Sequence, residues 1–182
     1  SKIVLPLLTQ LEKKQKIMGC DIHLFAEVKK KKNLIELLMF WKETKWRSID
    51  KYTKNEDLEK CNDGSEPEFE IKREDRFYTD GRNYNLFSAL CGVRSFHFDG
   101  DTPCVSEPKG LPNDISNEVL AESDSYGSDG HSHSWNTLKE LKEFDWSSYG
   151  ETTKDFLDEV IPKMEAQKVK DTDVRIVYFF DN

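Results

Sequence analysis

The chain has 182 residues, of which 36% are hydrophobic, 34% charged and 12% aromatic, and its formal net charge is -8. That length suits one domain with a real core. The acidic balance excludes broad, sequence-independent binding to nucleic acid or to an anionic membrane, because both need a surplus of accessible Lys and Arg.

Residues 1–17 read as an N-terminal appendage with Ile3, Leu7, Leu8 and Leu11 on one amphipathic face. Lys13, Lys14 and Lys16 follow too soon for a secretory signal, and no apolar run approaches the ~18 residues of a membrane span. From 18 onward a single domain is expected. Asp21 to Val28 alternates as a strand does: Ile22, Leu24, Ala26 and Val28 face a core, while Asp21, His23, Phe25 and Glu27 share the opposite face. Lys29 to Lys32 suit a hairpin tip, and Leu34 to Trp41 and Trp46 to Ile49 suit further strands, with a helix as the alternative for Leu34 to Phe40. Lys51 to Glu74 is acidic and Gly/Pro-punctuated, which predicts a surface insertion with little part in the core.

Tyr84, Phe87, Leu90 and Cys91 recur at helical spacing, with Asp80 as the predicted N-cap, Gly92 as the stop, Arg82 in the first turn and Arg94 just past the end. His97 with Asp99-Gly100-Asp101 reads as a turn. Two prolines make Val105 to Pro112 a stiff connector, in which Ser106, Glu107 and Lys109 are candidates for a pocket wall. A short helix from Ser116 should turn Val119 and Leu120 inward.

Asp129-Gly130-His131-Ser132-His133-Ser134-Trp135 then concentrates imidazoles, hydroxyls, a carboxylate and an indole, types suited to holding a metal, a phosphate or a nucleotide. In an extended segment the i, i+2 spacing sets His131 and His133 on one side, in a loop just before a helix N-terminus. Thr137 with Glu140 predicts a capping box for that helix, through Leu138, Leu141 and Phe144. Phe156, Leu157, Val160, Ile161 and Met164 mark another amphipathic helix, with Pro162 as a kink or break. Val174 to Phe180 suits a strand buried on both faces. The sum is an α+β domain: a mainly antiparallel sheet with helices packed on one face. Cys20, Cys61, Cys91 and Cys104 show no CxxC spacing, which fits reduced thiols in a cytosol.

The motifs MGCDIHLFAEV, GRNYNLFSALCGVR, SEPKGLPNDIS, DGHSHSW and RIVYFFDN, in this order from Met18 to Asn182, resemble a family of small uncharacterised proteins of tailed bacteriophages. The resemblance implies an accessory protein of the host bacterial cytoplasm and supplies no activity. Asp21-Ile22-His23 and Gly130-His131-Ser132-His133 also look like the first and last metal motifs of calcineurin-like phosphoesterases. The middle of that pattern, an Asn-His step and a GDxxD run, is absent.

Three functions follow from these residues. The first is capture of a phosphate-bearing, nucleotide-type molecule, such as a host defence signal, without chemistry. Tyr84, Tyr126 or Trp135 would stack on a base, and Arg82, Arg94, Lys109, His131 and His133, aided by Ser132 and Ser134, would hold phosphate. The second is a metal-dependent hydrolase in which Asp21, His23, Asp129, His131 and His133 hold zinc or manganese and Glu27 is the general base. The third is an acidic inhibitor of a host enzyme, acting through Asp57, Glu59, Asp63 and Glu66. The expected partner is a small ligand, with neither extended nucleic acid nor a membrane, and a homo-oligomer is allowed.

Overall fold

A computed structural model describes residues 19–29, 46–54, 69–79, 81–95 and 102–181 of the chain. The expectations placed on residues 1–17, Leu34 to Trp41, Asp57 to Glu66, Asp80 and the His97 to Asp101 turn lie outside them.

Its frame is a four-stranded sheet of order β2-β1-β6-β5, with β1 at Asp21–Lys29, β2 at Trp46–Ser48, β5 at His131–Thr137 and β6 at Val174–Asp181. Every pairing in it is antiparallel. A separate ribbon joins β3 (Thr53–Lys54) to β4 (Phe69–Glu70). Strand β6 lies between β1 and β5 and is covered on both sides, so Val174 to Phe180 are all buried. That placement explains a near-continuous apolar run where a one-sided strand would alternate.

On the first face, Ile22, Leu24, Ala26, Ile176, Tyr178 and Phe180 meet three helices. These are α1 (Tyr84–Cys91), α3 (Leu138–Glu143) and α4 (Lys154–Glu165). Helix α1 opens on Asn83, whose side chain accepts from the Leu86 N–H, and closes at Gly92 with φ 73. Arg82 therefore precedes the helix and does not sit in its first turn. Helix α4 buries Phe156, Val160 and Met164 and runs through Pro162, so the expected break there does not occur. The second face is smaller: Phe25, Val177 and Phe179 are covered by Ile115 and by Val119 of α2 (Asn117–Ser125). Leu120, expected inward, is 38% exposed, because α2 touches the sheet only along its Val119 and Ser123 side.

The capping box forms as expected. Thr137 Oγ1 accepts from the Glu140 N–H at 3.2 Å, and Glu140 Oε2 accepts from the Thr137 N–H at 2.7 Å. Burial pushes the Glu140 carboxyl up, but the Thr137 N–H, the Lys109 ammonium and the Thr137 hydroxyl outweigh it and hold the group below its ordinary value near 4.5. A depressed carboxyl contributes stability above its unfolded value and loses it as pH falls through the folded one. Thr137→Ala should cost about 1 kcal/mol at neutral pH. It should also flatten the acid limb of the stability curve below pH 4.5, a comparison that urea melts from pH 7 to 3 would make.

Polar groups tie the elements together where the faces end. Buried Asp50 accepts from the N–H groups of Ala26 (3.1 Å) and Phe77 (2.7 Å) and from the Ser48 hydroxyl (3.4 Å). One carboxylate thus fixes the segment 71–79 beside β1, helped by Lys163, which donates to the Phe77 carbonyl at 2.8 Å. This is the join that shapes the candidate site.

Candidate functional site

The histidine segment is strand β5 rather than a loop. His131 pairs with Phe180 and Ser134 with Tyr178, so Ser132 and His133 together oppose the single residue Phe179. This is a β-bulge, and Ser132 takes φ 51 to make it. The extra residue reverses the expected phase. His131 stacks on Phe180 (6.0 Å) on the first face, and His133 stacks on Phe179 (5.2 Å) on the second. Two imidazoles on opposite sides of a sheet cannot pinch one ion.

The metal set fails more widely. Asp129 is exposed in the turn after α2, its N–H bonded to the Tyr126 carbonyl at 3.0 Å. Asp21 is paired with Arg82 at 2.6 Å. Among the described residues no three His, Cys, Asp or Glu side chains converge closely enough to hold a cation. Glu27 cannot be a general base toward bound water, since it is 0% exposed and both its oxygens are engaged. Oε1 accepts from the Ser116 N–H at 2.7 Å and Oε2 from Arg175 at 2.7 Å.

Several other candidates are structural. Ser134 Oγ accepts from the Lys109 N–H at 3.2 Å, and Ser106 Oγ accepts from the Asn136 amide at 3.0 Å. The Lys109 ammonium is shared between Glu140, at 2.9 Å, and the ring of Trp135, at 3.9 Å. Glu107 lies 4.0 Å from the Cys104 thiol. These residues lock the connector to β5 and α3 and do not wall a pocket with the histidines. Tyr84 accepts from the Cys20 N–H at 3.4 Å, and the Arg94 guanidinium lies 5.8 Å from the Tyr84 ring. Gly19 leaves room for Arg82, whose guanidinium carbon would stand 3.0 Å from a Cβ at that position.

What the fold assembles instead is a cleft of about 540 Å³ beside the first half of β1. Asp21, Ile22, His23 and Leu24 form one wall, and Ile71, Arg73, Arg76, Tyr78, Thr79 and Gly81 face them. Arg76 is half-buried and Arg73 exposed, and among the described residues neither guanidinium makes a hydrogen bond or an ion pair. Arg76 is nonetheless felt by His23, Tyr52, Glu122 and Tyr126 as the positive charge at the cleft floor. Ile71 and Arg73 fall inside the stretch that reads as a surface insertion, and Arg76 and Thr79 were not singled out from the sequence. A usable signal was present: Lys72, Arg73, Arg76 and Arg82 stand within 11 positions of an otherwise acidic chain.

His23 links this cleft to an aromatic row on the second face. Its ring lies 5.0 Å from Phe179 and 4.2 Å from Tyr126, and His133 completes the row on the far side of Phe179. His23 Nε2 is shielded from solvent, 3.3 Å from Asp181 Oδ2 but outside hydrogen-bond geometry. Burial pushes the His23 imidazole below its ordinary value near 6.5 despite Asp181, and burial does the same to His133. A histidine kept neutral in the fold lends stability above its unfolded value and loses it as pH falls toward the folded one. Thermal melts should therefore drop as pH falls below 6.5, and His133→Phe, which keeps the stacking and removes the charge, should shrink that drop.

Fold and cleft define a small α+β protein with a basic recess at the open side of an antiparallel sheet. No protein-family model matches the chain, and neither curated proteins nor solved structures give a match. No helix among the described residues is long and apolar enough to cross a membrane.

Proposed function

We propose that this protein binds a small phosphate-bearing, nucleotide-type molecule in the Arg73/Arg76 cleft and holds it without chemistry. The carrying observation is Arg76, a half-buried guanidinium that lines a cleft of about 540 Å³ and has no hydrogen-bond partner among the described residues. With no carboxylate in ion-pair contact among the described residues, this half-buried guanidinium is available to grip a ligand that supplies an anion. Arg73 adds a second fork at the rim, and the volume lies in the range of roughly 300–1,000 Å³ typical of small-molecule sites. His23, the imidazole in the wall, makes no hydrogen bond to a hydroxyl or thiol among the described residues, which suits retention better than nucleophilic attack. The resemblance to tailed-phage proteins agrees with an accessory role in which a host nucleotide or defence signal is captured.

The test is depletion and release. Purified protein is incubated with a mixture of nucleotides, cyclic nucleotides and ADP-ribose-type compounds, filtered, and then heat-denatured. A compound that disappears and returns intact is the expected result. Return as a product would mean catalysis, and no depletion of any phosphate compound would sink the reading.

A further inference from the structure

The wall of the cleft opposite the arginines is main chain as well as side chain. Strand β1 pairs with β6 in unbroken register from Asp21 to Val28, but on its other side β2 reaches only Glu27 to Lys29. Before that point three bonds show which residues turn outward. Ile22 donates its N–H to the Gly81 carbonyl (3.0 Å), Ala26 donates to Asp50 (3.1 Å), and the Ala26 carbonyl accepts from the Ile49 N–H (2.8 Å). Strand geometry repeats every two residues, so Leu24 between them aims its N–H and C=O the same way. Among the described residues nothing bonds to either, and Leu24 lines the cleft with Ile22 and His23.

A shielded main-chain donor and acceptor left unpaired is costly. An added peptide strand would satisfy them, but a strand needs a row of such pairs, and here both neighbours are taken. Ile22 and Ala26 stand roughly 13 Å apart along a strand, with Gly81 closing one end and Asp50 the other. That gap admits a single planar group that both donates and accepts, as the edge of a nucleobase does. We infer that Leu24 reads the base of the ligand through its main chain while Arg73 and Arg76 hold the phosphate. The ligand class is then a base-bearing phosphate rather than a sugar phosphate or a free anion, a reading that rests on the anion site proposed above.

Calorimetry on the full chain with the four ribonucleoside 5′-monophosphates, ribose 5-phosphate and inorganic phosphate tests this. Amide NMR spectra would be recorded alongside. At least one monophosphate should bind about tenfold more tightly than ribose 5-phosphate, the worth of one or two hydrogen bonds. Methylating the base nitrogen that donates should remove most of that preference. The Leu24 amide signal should shift on binding, while that of Ala26, already held by Asp50, should move little. Equal binding of ribose 5-phosphate and every monophosphate overturns the base reading and leaves the phosphate site standing. A base preference with an unmoved Leu24 amide also overturns it. If no phosphate compound binds, the phosphate site falls and the base reading with it.

Discussion

Arg175→Ala should lower stability by about 3–5 kcal/mol, the usual cost of leaving one partner of a buried ion pair alone. In a domain of this size each kcal/mol moves the melting temperature by roughly 2–4 °C, so a fall of roughly 6–20 °C is expected. The residue is 2% exposed near the start of β6 and opposite Glu27, which is 0% exposed. Its Nε donates to Glu27 Oε2 at 2.7 Å, with Nη2 also 2.7 Å from that oxygen in the ion pair, while Nη1 donates to Asp114 Oδ1 at 2.8 Å and Nη2 to the Asp114 carbonyl at 3.2 Å. The guanidinium also lies 4.0 Å from the ring of Trp46. The other carboxylate oxygen, Glu27 Oε1, accepts from the N–H of Ser116, the residue before α2. Loss of Arg175 therefore strands the Glu27 charge and loosens the start of α2 together. The double change Glu27→Leu with Arg175→Leu should recover much of the loss, because well-packed apolar residues often equal or exceed a buried pair, and Asp114, 44% exposed, can rehydrate. Differential scanning calorimetry of the two variants and the parent decides it: an Arg175→Ala melt within 2 °C of the parent would show that the network holds little.

Arg76→Ala should weaken ligand binding by roughly 10–150-fold, the about 1.5–3 kcal/mol of a hydrogen bond to a charged group. Arg73→Ala, at an exposed position, should cost only a fewfold. Arg76→Lys should restore part of the affinity, since a point charge remains but the planar fork that grips two phosphate oxygens is gone. Stability should change little, because Arg76 makes no hydrogen bond or ion pair among the described residues that its removal would break. Binding should also weaken as salt rises, and the Arg76→Ala variant should lose much of that dependence. Thr137→Ala serves as the control, being less stable with the cleft intact. If both variants bind equally well, Arg76 does not hold the ligand.

The sequence by itself determined the local elements. Period-two alternation marked β1 from Asp21, the mostly apolar run Val174 to Phe180 marked the buried β6, and Thr137 with Glu140 marked the start of α3. Helical spacing likewise found α1 and α4. Such patterns are legible because each depends on neighbours within a few positions of the chain. Tertiary structure decided everything that depends on which element meets which. Glu27 shares a polar face in the sequence, yet it becomes a buried structural anion because Arg175, 148 positions away, lies beside it. His131 and His133 keep their spacing but lose their common side, because the bulge at Ser132 adds one residue to the strand and no residue type announces a positive φ there. In the sequence Arg73 falls within an acidic surface stretch and Arg76 stands just beyond it. They became the floor and rim of a cleft only when Asp50 clamped their segment against β1, where β2 stops short and leaves one main-chain pair open. A strand's periodicity records that it has a buried face, and it carries no mark of how far its neighbour extends.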